Sequence, residues 1–339
     1  MRANIGLVAG VLGAALALGV GAQAQSQTLK PLRVTIPVPA MVFYPLFVAV
    51  DKGFFATHGY AFEIISTAGD GPDIDALISG SVDFTISTPN RLFTAYEQGK
   101  PLLAVMNLGN RMGIECAMNK AVADRLSITE ATPLDQKLRS MKGETVAGTR
   151  PGAFTYLLLV NYAKRVGLVP QQDLQIIGLG GAGSMLPALE NGQVAVACTG
   201  SPMPELAVSR GKAIAFTHNL RGDDPAFDDF LFELLYVRPD WAKANADIVR
   251  GVVTSLREAV AWMQDTPTKT QLPEMRARFT GVPDALLTEI LDSLKPAFRR
   301  DGMITEAAVD KAAKFLRDTG VINAPIPWQA VATNDYLPK

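Results

Sequence analysis

The chain repeats itself at a spacing of 112 residues. Residues 34–108 laid on 146–220 without a gap agree at 19 of 75 positions. The matches include Val34/Val146, Pro39/Pro151, Tyr44/Tyr156, Ile64/Ile176, Gly69/Gly181, Gly71/Gly183, Gly80/Gly192, Gly99/Gly211 and Asn107/Asn219. Ordinary composition gives roughly one chance match in fifteen, or about five here. A period this long does not describe a stacked solenoid. It describes two similar lobes.

Both halves read in one order. A strand at 32–36 or 144–147 leads to a helix at 45–51 or 155–165. A second strand ends at 66 or 177, and a Gly-rich loop follows. A helix closed by Gly80 or Gly192 comes next, then a strand at 82–87 or 194–198. This alternation predicts an α/β fold of two pseudo-symmetric lobes, each a parallel-type sheet flanked by helices. Outside the repeat, 230–237 reads as a buried strand. Residues 245–263 and 306–318 read as helices, the second capped by Thr305 and Gly320. The resulting division is a lobe of 25–110 with 225–339, and a lobe of 111–224.

The start of the chain reads as an export signal. Arg2 precedes an apolar run at 5–20, and Ala22-Gln23-Ala24 supplies a small-x-small cleavage site. The run is shorter than the roughly 20 residues a membrane span needs. A mature chain beginning near Gln25 would be periplasmic. A formal net charge of -1 gives no basic excess for nucleic acid. Export permits a disulfide between Cys116 and Cys198. Sequence alone does not bring their Cα atoms together, so two buried free thiols are expected, with the bridge left open.

Catalytic chemistry has little to stand on. His58 and His218 lack metal-ligand spacing and read as structural, so neither a metal nor another cofactor is expected. Gly178-Leu-Gly-Gly-Ala-Gly183 matches a dinucleotide fingerprint, but no acid closes the following strand at Cys198-Thr199-Gly200. The loop is better read as a donor-rich cleft wall.

In open α/β sheets, ligands sit beyond the carboxyl ends of the strands, where helix N-termini offer N–H groups and partial positive charge. Six such loops occur, three per half. Lobe one contributes Met41, Val42, Phe43, Tyr44, Gly69, Asp70, Ser87, Thr88 and Asn90 as candidate ligand contacts. Lobe two contributes Arg150, Gly152, Phe154, Thr155, Tyr156, Gly181, Gly183, Ser201 and Glu205. Thr88-Pro89 and Ser201-Pro202 read as an N-cap followed by proline. The repeat makes Tyr44 and Tyr156 a candidate aromatic clamp. Arg150 is the best-placed cation. Asp70 and Glu205 suit an ammonium instead, which leaves the ligand's charge open.

Several motifs bear a family likeness. Tyr44-Pro-Leu-Phe-Val-Ala-Val-Asp-Lys-Gly-Phe-Phe55, Gly80-Ser-Val-Asp-Phe84, Gly99-Lys-Pro-Leu102, 148–155 and Asp301-Gly-Met-Ile-Thr305 resemble the substrate-binding proteins of bacterial ABC importers. The resemblance is to the group that binds sulfonates, taurine, nitrate and thiamine pyrimidine precursors. It implies a monomeric two-lobed flytrap that is not an enzyme, holds a small organic solute between its lobes and hands it to an inner-membrane permease. By position it places contacts in 38–44, 87–90 and 152–155. The cysteine-rich cluster of the enzymatic relatives in pyrimidine synthesis is missing here. A related two-lobed enzyme of pyrimidine or quinone precursor synthesis is the alternative.

Overall fold

A computed structural model describes residues 28–67 and 71–338. The export-signal reading of 1–24 therefore lies outside the described residues, as do Gly69 and Asp70. The first repeat runs β1 (Lys30–Ile36), α1 (Tyr44–Asp51), the short α2 (Phe54–Thr57), β2 (Tyr60–Ser66), α3 (Pro72–Ile78), β3 (Phe84–Ser87), α4 (Pro89–Glu97) and β4 (Leu103–Asn107). Next come β5 (Ile114–Asn119), α5 (Lys120–Leu126) and α6 (Leu134–Arg139). The second repeat runs β6 (Thr145–Gly148), α7 (Phe154–Arg165), β7 (Gln175–Gly178), α8 (Ala182–Glu190), β8 (Val196–Gly200), α9 (Met203–Ser209) and β9 (Ala213–Thr217). The chain ends with β10 (Leu234–Val237), α10 (Pro239–Ala244), α11 (Ala246–Asp265), α12 (Thr268–Arg278), α13 (Asp284–Leu294), α14 (Glu306–Thr319) and α15 (Trp328–Val331).

These elements build two five-stranded sheets, ordered β2-β1-β3-β10-β4 and β7-β6-β8-β5-β9. Shifting the first order by one repeat reproduces the second, with β5 in the place of β10. Register repeats as well: Val34 pairs with Phe84 and Val146 with Val196. Each sheet is mixed rather than purely parallel. β10 is antiparallel to β3 and β4, and β5 is antiparallel to β8 and β9. In each case the antiparallel strand is the one the chain enters after crossing from the other sheet. Both inserted strands slip register against their outer neighbour at matching places, Leu235/Tyr236 and Cys116/Ala117.

Burial explains the strand sequences. β3 and β10 are buried at every position, as expected for strands covered on both faces. Left-handed glycines follow the helices of both repeats. Gly80 and Gly192 adopt φ of 79° and 70° after α3 and α8. Thr305 caps α14 by accepting the Ala308 N–H at 3.2 Å, and Gly320 ends it with φ 80°. Of the unrepeated C-terminal helices, α11 and α15 pack on the first sheet's side, whereas α14 packs chiefly on α7. Arg278 pairs with Asp51 and Lys52 with Glu274, tying α12 to α1.

The cysteines correct the free-thiol expectation. Cys116 and Cys198 stand directly opposite each other on antiparallel β5 and β8, with Cα atoms 4.1 Å apart, and form a disulfide. Cross-strand partners of this kind are the closest approach a sheet offers. The pairing could not be read from the repeat, because β5 belongs to neither copy.

Candidate functional site

The two sheets face each other across one cleft. A cavity of about 50 Å³ lies there, walled by Pro37, Val38 and Thr88 after strands of the first sheet and by Thr149, Thr199 and Gly200 after strands of the second. The helix starts add Val42, Phe43, Phe154 and Thr155. The crossover segments add Gly113, Ile114, Phe232 and Glu233. Apart from the helix starts, these residues sit where parallel strands end or antiparallel strands begin. At roughly 10–15 Å³ per water-sized group, the cavity holds about three to five such groups.

The walls combine apolar surface with hydroxyls. Thr155 Oγ1 accepts the Thr149 N–H at 2.8 Å and lies 2.7 Å from Thr149 Oγ1. This link folds the loop before α7 over the helix start. Helix geometry leaves the first N–H groups of α7 without intrahelical partners. Phe154 stacks on Phe315 at 4.9 Å and meets Phe230 and Phe232 edge-on, so an aromatic cluster from the return crossover and α14 fixes that wall. Glu233 is the one acidic lining residue, and the described lining contains no Lys or Arg.

Direct bonds cross the cleft. Thr88 Oγ1 donates to Asn90 Oδ1 at 2.7 Å, and Asn90 Nδ2 donates to the Gly152 carbonyl at 3.1 Å. The Met41 N–H donates to the Ser201 carbonyl at 3.0 Å. Arg91 was not singled out from sequence. Its guanidinium lies within 4.0 Å of where Cβ atoms on Gly71 and Gly152 would sit, at the junction of the two halves.

The structure brings some of the expected contacts together and separates others. Val42, Phe43, Thr88, Phe154 and Thr155 line the cavity. Met41, Asn90, Gly152 and Ser201 make the bonds across the cleft. Ser87 is fully buried at the end of β3, and its Oγ has no hydrogen-bond partner among the described residues. Arg150 is half-buried and outside the lining, as are Gly181 and the exposed Gly183 at the start of α8.

Three expectations are corrected. Tyr44 and Tyr156 do not form a clamp. Tyr44 is wholly buried, and burial together with the nearby Glu274 and Asp51 carboxylates pushes its hydroxyl above the ordinary range. The Tyr156 hydroxyl accepts Gln171 Nε2 at 2.8 Å on the flank of α7. Successive helical residues point about 100° apart, so with Thr155 at the cleft Tyr156 is carried away from it. Ser201 is not an N-cap: Pro202 occupies that position before α9, and the Ser201 hydroxyl donates to Glu205. Glu205 lines a different cavity, together with Glu115 and His218.

Phe232, Glu233, Gly113 and Thr199 were missed as lining. The first two looked like buried strand in an apolar run, and only the crossover topology turns them toward the cleft. A sequence signal existed for Thr199, which sits one residue before the repeat partner of Thr88.

Comparison with known proteins places this geometry. Residues 30–276 match the NMT1-like family. The chain belongs to the NMT1-like family. A curated relative of this NMT1-like chain is the bicarbonate transport ATP-binding protein CmpC of Synechococcus elongatus, 26% identical over 245 residues. That alignment covers 70% of this chain but 36% of CmpC, so the chain spans about a third of the curated relatives it matches first. A solved structure from Bordetella bronchiseptica RB50 superposes with a TM-score of 0.77 at 18% identity, covering 90% of this chain and 95% of that one. The alkanesulfonate-binding protein SsuA of Xanthomonas axonopodis pv. citri, bound to MOPS, superposes with a TM-score of 0.70 at 16% identity, covering 89% and 98%. These likenesses establish the two-lobed α/β fold. Among the described residues no helix is long and apolar enough to cross a membrane.

Proposed function

We propose that this NMT1-like chain is the solute-binding component of an ABC import system, working in the periplasm as a monomer and without catalysis. The observation that carries this reading is the cavity walled from both sheets, with bonds across the cleft at Asn90–Gly152 and Met41–Ser201. A solute touching both walls prefers the closed arrangement and so shifts the lobe equilibrium. The lobes are taken as 25–110 with 225–339, and 111–224. SsuA, which binds alkanesulfonates, and CmpC, named for bicarbonate transport, support a small-solute role.

The solute is a small sulfonate, carboxylate or heteroaromatic compound. Phe43, Phe154 and Phe232 suit an apolar or flat body, and the threonine hydroxyls suit a hydrogen-bonding head. Without Lys or Arg in the described lining, an anionic head would be held by the α7 N–H groups and Thr88, Thr149, Thr155 and Thr199. The test is a thermal-shift screen of sulfonates, small carboxylates, nitrate, bicarbonate and pyrimidines. Each compound that shifts the midpoint is then incubated and analysed by mass spectrometry. A shift with the compound recovered unchanged supports the binder. Conversion of the compound establishes the enzyme alternative instead. No shift across the panel refutes the solute classes named.

A further inference from the structure

A second cavity, about 150 Å³, lies between α9, the β5 and β9 strands of the second sheet, and α13. Its floor and rim bear Glu115, Glu130, Glu205, His218, Arg221 and Glu289. Two of these acids reach the parts of the molecule that hold the lobes. Glu115 accepts the Asn219 N–H at 2.9 Å and the Leu220 N–H at 3.0 Å. It thereby ties the strand that ends the first crossover to the segment that begins the second. His218 Nδ1 stands 3.3 Å from Glu115 Oε2. Glu205 takes the Ser201 hydroxyl, and the Ser201 carbonyl holds the Met41 N–H across the cleft. The other carboxylate oxygen of Glu205 is buried without a hydrogen-bond partner among the described residues.

The cavity is also shared between bodies. α9, β5 and β9 belong with the second sheet, whereas α13 packs on α12, which is tied to α1 beside the first.

We propose that parting the lobes draws α13 from α9 and wets this cavity, so that Glu205 makes lobe closure proton-linked: the closed arrangement takes up a proton there and opening releases it. The proposal rests on the two-lobed closing reading above, though on no particular solute. Glu205 is faced by Glu115 from β5, His218 and Arg221 from the second crossover, Glu130 from the connector and Glu289 from α13. Arg221 is engaged by Glu289, and Arg210 on α9 itself by Glu190. Four carboxylates thus share a cavity whose one permanent cation is already paired.

In the closed arrangement, burial foremost and then the Glu115 charge push Glu205 up to about 7. For His218, burial alone favours the neutral ring, but the hydrogen bond and charge of Glu115 win and raise its affinity for a proton. Glu115 and His218 sit on one body, so opening relieves only the burial of His218 and His218 does not drive the linkage. Protonated Glu205 favours closure, and closure weakens as pH rises from the ordinary carboxylate range through about 7.

Single-molecule FRET tests this with no solute present. Dyes go on Lys100→Cys and Lys212→Cys, exposed positions equivalent in the two repeats. The closed-to-open ratio of otherwise wild-type protein should fall by roughly tenfold or more between pH 5 and pH 8, since a tenfold difference in proton affinity between two arrangements changes their ratio tenfold across the titration. Glu205→Gln, which mimics the protonated acid, and Glu205→Met, which cannot ionise, should each flatten that fall to about threefold or less. Circular dichroism identifies a variant that fails to fold, and the other then carries the test. A ratio that stays constant with pH in the parent, or an unchanged slope in the folded variants, overturns the proposal. Failure to find a solute bears on the function alone, because this measurement needs none.

Discussion

Removing the disulfide should cost the protein several kcal/mol. The bridge joins residues 82 positions apart and encloses α5, α6, β6, α7, β7 and α8. The chain-entropy relation for a loop of that length gives about 4.5 kcal/mol at 25 °C. Residual structure in the unfolded chain lowers the effective figure, so Cys116→Ala/Cys198→Ala should lose about 3–4 kcal/mol. Alanine is small enough for both buried sites, so overpacking does not confuse the result. The assay is guanidinium unfolding of the oxidised parent beside the double variant, with a thiol count on the unfolded parent. A loss below about 1 kcal/mol, or two free thiols in protein exported to an oxidising compartment, would refute the pairing and return the chain to the free-thiol reading.

Four further outcomes follow from the structure. Tyr44→Phe removes a buried hydroxyl that has no hydrogen-bond partner among the described residues, so stability should hold or rise by about 1 kcal/mol and solute affinity should not change; a large affinity loss on calorimetry would restore the clamp. Asn90→Ala removes the bond to Gly152 and the acceptor of the Thr88 hydroxyl, so calorimetry should show solute binding weakened about fivefold and the unliganded protein should lose about 1–3 kcal/mol. Gly148→Ala sets a Cβ about 2.7 Å from the Tyr156 nitrogen and should cost about 1–3 kcal/mol in chemical unfolding. Glu205 ionises against burial, so the folded state loses stability as pH climbs from the ordinary carboxylate range through about 7. Glu205→Gln should therefore be more stable than the parent by about 2 kcal/mol at pH 8 and nearly equal to it at pH 5; equal gains at both would contradict the raised proton affinity of Glu205.

The repeat carried most of the architecture. Matched pairs such as Val34/Val146 occupy matched register positions, and Gly80/Gly192 take the same left-handed turn. The Thr305 and Gly320 caps were legible because capping is local chemistry. Features that depend on the crossovers were not legible. β5 and β10 enter each sheet from outside the repeat, so neither the cysteine pairing nor the Phe232–Glu233 wall had a local signal. Side-chain direction was the other gap. Tyr44 and Tyr156 hold equivalent places in sequence, yet one hydroxyl turns toward the α1–α12 side and the other to Gln171. Symmetry of backbone does not impose symmetry of rotamer when the packed neighbours differ, and only the first lobe carries α11 and α12 against its first helix.

The central claim is that a small solute is captured in the cavity between the sheets. Its most direct test is calorimetric titration of a solute from the screen into the parent and into Gly113→Leu. A Cβ at Gly113 would already lie 2.5 Å from Val42 Cγ1 and 2.8 Å from Phe232 Cε1, so the larger side chain must occupy the cleft. The account predicts saturable one-to-one binding to the parent and a loss of at least about tenfold in the folded variant, roughly 1.4 kcal/mol. Equal affinity in the two proteins would place the solute elsewhere and contradict the account.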